Sequence, residues 1–147
     1  MQMPGAHPRW GVEFDWFGVD KSGAVAVFSA SGYGAVPEPV LTRVSDVDAA
    51  ADQVLDLPKT GAWTGPVQPK GVDHSWFHER AARGLFVYDW ADYYGPYQLM
   101  SSPTAPITVG MLPDSLRSAS KLVSFELRFV DTLQVELAYL ETAQRPC

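Results

Sequence analysis

Two histidines, His74 and His78, stand four residues apart in the run Asp73-His74-Ser75-Trp76-Phe77-His78-Glu79. On a helix that spacing brings both imidazoles to one face, where they could share a proton-transfer task or a metal ion. Zinc proteases use the same spacing but place a glutamate directly after the first histidine, and here Ser75 holds that position. The general base is missing from its place, and a third ligand would have to come from His7, Asp89 or Asp92. The pair therefore reads as exposed helix histidines, with no metal and no cofactor.

A second cluster, Tyr88-Asp89-Trp90-Ala91-Asp92-Tyr93-Tyr94 followed by Tyr97, mixes carboxylates with aromatic rings. Asp89 and Asp92 could divide acid and base roles, as in a glycosidase, while the rings stack on a sugar. Glycosidase domains are usually much larger than this chain. The same residue types also suit recognition, because Trp and Tyr are rigid anchors and acidic neighbours steer a basic partner. The plainest alternative is a strand end with alternate residues buried and the two aspartates solvated. Other motifs fall away. Gly32-x-Gly34 has Pro37 where a dinucleotide fingerprint needs its third glycine, so both glycines read as turn residues with positive φ. No Gly-x-Ser-x-Gly elbow is present, Ser101-Ser102 belongs to no motif, and Cys147 is the last residue.

These residues must be positioned by a chain of ordinary domain size, 147 residues, of which 46% are hydrophobic and 12% aromatic. Residues 1–9 read as a flexible arm and 10–147 as one domain. In Trp10–Pro37, Val12, Phe14 and Trp16 alternate with Glu13 and Asp15, and Asp20-Lys21-Ser22-Gly23 forms a turn. Ala24–Phe28 returns as a strand apolar on both faces. A helix is expected over 46–57, capped by Ser45 and ended by Pro58, with Val44, Val47, Ala51, Val54 and Leu55 as its apolar stripe. Residues 59–71 form a long loop anchored by Trp63, and Asp73 caps a short helix over 74–83. Strands follow over 85–90 and 97–101, with a further short one over 107–111. Pro113 opens a short helix to about Ser120. The alternation of Leu122–Val130 predicts another strand, paired with a last one over 135–140, with a helical continuation as the alternative for that last segment. The fold class is α+β: a single domain with a mostly antiparallel sheet, opened by the N-terminal hairpin, and two or three short helices packed on it.

The residues Trp16-Phe17-Gly18-Val19-Asp20, Gly23, Ala26-Val27-Phe28 and Gly32-Tyr33-Gly34-Ala35-Val36-Pro37 carry a resemblance. The stretch resembles the opening WF-x-[VI]-D-x-x-G-x-[VA]-A-x-F and glycine loop of a loose group of small uncharacterised bacterial proteins. The Arg and Ala usage is similar to that of their actinobacterial members. Proteins of this kind are sometimes found near toxins and suspected of being immunity-like. The resemblance implies a cytoplasmic protein and hints at a binding role. It covers about the first quarter of the chain and implies no catalytic residues.

The net charge of −6 opposes binding to phosphate backbones, and the eleven basic residues form no run, so no nucleic-acid partner is expected. The sequence shows no transmembrane stretch and no apolar signal-peptide core, so no membrane partner is expected and the default location is cytoplasmic. One cysteine builds neither an internal disulfide nor a thiolate metal cluster. Whether the chain is an enzyme stays open, with the balance against it. The leading expectation is a non-enzymatic protein-binding module, in its sharpest form an immunity-type inhibitor covering a basic partner. Its surface would be Trp76, Asp89, Trp90, Asp92, Tyr93, Tyr94 and Tyr97. The alternative is a small enzyme using His74 and His78 with Asp89 or Asp92, in one version with a divalent metal.

Overall fold

A computed structural model describes residues 8, 11–65, 73–90 and 95–136. The hairpin forms where the alternation and the turn residues place it. β1 (Asp15–Val19) pairs antiparallel with β2 (Val25–Ser29), and Gly23 takes φ 88° in the turn between them. The chain then runs through α1 (Glu38–Leu41), α2 (Val44–Ala51), β3 (Trp63–Thr64) and α3 (Ser75–Ala81) before entering β4 (Phe86–Trp90). β4 lies parallel to β2, as a crossover of this length allows. β5 (Tyr97–Pro103) returns antiparallel to β4, and α4 (Asp114–Ser120) and β6 (Gln134–Val135) complete the chain. The strand order is β1-β2-β4-β5-β3, with β6 also on the outer edge of β5. The architecture is α+β: a six-stranded mixed sheet with short helices, in which the β2–β4 pair is the parallel one.

Strand alternation divides this sheet into two unlike faces. Trp16, Phe28 and Tyr88 fall in register across β1, β2 and β4, and their rings stack at 4.1 and 5.1 Å. Tyr97 closes the row edge-on to Trp16 and Phe28, and Phe125 and Phe129 cover it. The polar atoms inside this aromatic layer are paired. Trp16 Nε1–H donates to the Tyr97 hydroxyl at 3.0 Å, Tyr97 donates to the Ala35 carbonyl at 2.6 Å, and Tyr88 donates to the Thr132 carbonyl at 2.6 Å. On the opposite face β1, β2 and β4 present Asp15, Phe17, Val27, Ser29, Val87 and Asp89. The charges of Asp48 on α2 and Arg80 on α3 reach the Asp15 carboxyl, which sets both helices over this side.

The helix over 44–51 continues as a 3-10 turn at Val54–Asp56. Val47, Ala50 and Val54 are buried, whereas Leu55 is half exposed, because the 3-10 turn rotates it off the stripe. Three expectations are corrected. Residues 122–130 do not form a strand. They cross the covering layer with Val123, Phe125 and Phe129 buried, pair with β1 through the single Val19–Ser124 bridge, and turn 3-10 at Phe129–Asp131. The alternation there marks a segment with one side on the core, not a ladder. Residues 107–111 likewise make one bridge, Ala24–Thr108, and then a 3-10 turn at Val109–Met111. Neither Gly32 nor Gly34 takes positive φ; Ser31 does, at 54°. Gly34 is small because the Ala30 carbonyl and the Trp90 ring would lie 2.6 and 2.9 Å from a Cβ there. Most of the expected arm over 1–9 and the strand residues 137–140 lie outside the described residues.

Candidate functional site

Asp15, Ser29 and Asp89 are in register across β1, β2 and β4, so their side chains form one row on the helix-covered face. With strands about 4.8 Å apart, the two aspartate Cα atoms stand roughly 10 Å from each other with Ser29 between them. The row sits at the carboxyl ends of the parallel pair β2 and β4, where open sheets with crossover helices commonly bind ligands. Burial pushes the Asp15 carboxyl from its ordinary 3.8 up to about 6; Arg80 opposes this, and Glu13, Asp48 and Asp89 add to it. Burial also raises Asp89, while hydrogen bonds from the Ser29 and Ser31 hydroxyls favour its ionised form. Among the described residues, Asp15 makes no ion pair. It is a desolvated carboxyl whose nearby positive charge, Arg80, only partly offsets its burial.

α3 supplies the other half of the site. Asp73 Oδ1 accepts the Ser75 N–H at 2.9 Å, which fixes the start of the helix and holds the Asp73 carboxyl below its ordinary range. His74 and His78 then fall on one face, with ring centroids 6.4 Å apart. His74 stands close enough to Asp89 for its charge to act on that carboxyl, and it packs against Phe77 at 5.5 Å. Both of its ring nitrogens are shielded from water and have no hydrogen-bond partner among the described residues. His78 turns to β5: its Nδ1 lies 3.0 Å from Ser101 Oγ, and Trp63 stacks on its ring at 3.4 Å. Burial, and then the charge of His74, lower the His78 pKa, so its imidazole is held neutral.

The chain brings together His74, His78 and Asp89 from the residues singled out in the sequence. It does not bring Trp90 or Tyr97 to a surface. They are 3% and 0% exposed, and their rings meet edge-on at 4.8 Å inside the aromatic layer. The binding surface expected of them is corrected on that ground: the alternation that points Asp89 to the helices points Trp90 into the core. Trp76 is half-buried with the Arg80 guanidinium 3.7 Å over its ring, so one face is taken by a cation–π contact. Asp92, Tyr93 and Tyr94 lie outside the described residues. Asp15, Ser29, Ser31, Ser101 and Trp63 were not among the residues read as functional. For Asp15 a signal exists in the sequence, since Trp16 and Phe17 are consecutive and β1 must bury both faces.

Among the described residues no group of three or more His, Cys, Asp or Glu side chains is arranged to hold a metal ion. No helix among them is long and apolar enough to cross a membrane. No family model, curated protein or solved structure matches this chain. The site is thus defined by its own residues.

Proposed function

We propose that the protein is a small cytoplasmic enzyme that moves protons on a neutral, hydrogen-bonding substrate held between the β2–β4 strand ends and α3. The observation that carries this reading is His74, an imidazole with both nitrogens shut off from water and without a hydrogen-bond partner among the described residues, set beside the desolvated carboxyl of Asp89, with Asp15 in the same row of the sheet. Buried polar atoms normally find partners, and an unpaired one costs about 1–3 kcal/mol. A bound molecule offering a hydrogen-bonding group to each ring nitrogen would satisfy both. Asp15 keeps its proton up to about pH 6 and serves as the acid. Asp89, whose carboxylate accepts hydrogen bonds from two serine hydroxyls, serves as the base. Carboxyls at the site repel anions, which favours a substrate without phosphate or carboxylate groups.

The test is to incubate the purified full chain with a small-molecule extract and follow every species by mass spectrometry. At least one is expected to be consumed by the wild type, and about 100-fold more slowly or not at all by His74→Gln and Asp89→Asn. No change with the wild type, or equal rates in the variants, contradicts the reading. The protein-binding reading retains the net charge of −6 and half-buried Trp76 as support. A stoichiometric basic partner that is released by salt would favour it instead.

A further inference from the structure

We infer that Ser101 fixes His78 as the neutral tautomer protonated on Nε2, so that His78 meets a ligand as a hydrogen-bond donor rather than as a base or a metal ligand. The inference takes its place in the mechanism from the proposed site but rests on separate atoms. Ser101 is fully buried on β5, opposite Val87, and points its hydroxyl at α3. Among the described residues the one partner of that hydroxyl is His78 Nδ1, at 3.0 Å.

A hydroxyl always carries a hydrogen to donate, whereas Nδ1 accepts only when it is unprotonated. Were Nδ1 protonated, it would donate to Oγ and leave the buried serine hydrogen with nothing to accept it. The paired arrangement is therefore Ser101 O–H donating to Nδ1, with the imidazole proton on Nε2. The Trp63 ring lies almost parallel to the imidazole, 6° between planes, and bars a flip that would exchange the two nitrogens. The neutral state agrees with the lowering of the His78 pKa by burial and by His74. Histidines that bind metal use one nitrogen as ligand and donate through the other. Here the inner nitrogen is an acceptor, so Nε2 keeps its hydrogen and has no lone pair to give.

Two consequences follow for the site. His78 Nε2–H seeks a hydroxyl, carbonyl or carboxamide oxygen, while Asp89 seeks a donor, so a ligand spanning both offers each kind of group. Proton abstraction falls to the carboxyls. Ser101 is a positioning residue, because it acts through His78.

The test is a long-range proton–nitrogen correlation spectrum of the ligand-free full chain, recorded above the ordinary titration range of histidine. The expected result is a His78 ring with Nε2 protonated and Nδ1 bare in the wild type. Ser101→Ala is expected to give a mixture of tautomers, and Ser101→Thr to restore the single one. A wild-type ring protonated on Nδ1, or a single Nε2–H tautomer that survives in Ser101→Ala, overturns the inference. If Ser101→Ala does not fold, the wild-type spectrum still decides. The spectrum is read whether or not the protein turns anything over, so failure here is distinct from failure of the proposed reaction.

Discussion

A carboxyl on the helix-covered side of a strand, with no ion pair among the described residues, is held against its own solvation. Asp15 is that residue, and its displaced pKa gives a signed expectation. Its folded-state pKa, about 6, lies above the ordinary 3.8, so the folded chain binds this proton more tightly than the unfolded chain. The stability it contributes is complete below pH 3.8 and is lost as pH rises through about 6. Asp15→Asn is therefore expected to stabilise the fold by about 2 kcal/mol at neutral pH, once partial exposure is allowed for. The gain should vanish in acid, and denaturant unfolding across pH checks both limbs. A stabilising change at a site residue is the mark of a position kept for function. Tyr97 is the opposite case. Its hydroxyl joins Trp16 Nε1 to the Ala35 carbonyl, and Tyr97→Phe would leave both buried groups unpaired. A loss of about 1–3 kcal/mol in unfolding free energy is expected.

Among the elements, the β1–β2 hairpin is tied down by Asp20, which is 5% exposed. Its Oδ1 accepts from Ser22 N–H, Ser22 Oγ–H and Ala24 N–H, closing the turn, and its Oδ2 accepts the Phe129 N–H at 2.9 Å. One carboxylate thus fixes both the hairpin and the segment that roofs the aromatic layer. Asp20→Ala is expected to cost about 3 kcal/mol and to speed exchange of the Phe129 amide, which hydrogen-exchange NMR would report. Gly34→Ala should cost about 2 kcal/mol, because its methyl would meet the Ala30 carbonyl and Trp90, and thermal melts check this. At this scale much was legible. The hairpin, the helix after Pro113 and the strand ending at Trp90 follow from alternation and turn residues. What misled was alternation itself: residues 122–130 alternate because one side lies on Phe28 and Trp16, and no neighbouring strand is implied. The short helix α1 after Pro37 carried no stripe long enough to read.

For the whole molecule, the candidate site depends on a division the sequence carries only in pieces. One face of the sheet is an aromatic layer with paired polar atoms, and the other holds Asp15, Ser29 and Asp89 beneath α3. His74, His78 and Asp89 could be named from residue type and spacing, but their convergence could not, because α3 and β4 meet only through a tertiary crossover. Asp15 and Ser29 join them through strand register, which single-sequence patterns do not fix. The reading of Trp90 and Tyr97 failed for the same reason: the parity of β4 decides which residues meet solvent, and its neighbours decide that parity. The central claim is that the fold holds two carboxyls desolvated, each with its pKa raised, at the carboxyl ends of β2 and β4. The most direct measurement is a carbon-13 NMR titration of the aspartate carboxyls in the full chain. Asp15 is expected to titrate near pH 6 and Asp89 above its ordinary value. Both groups titrating in the ordinary range near 3.8 would contradict the claim.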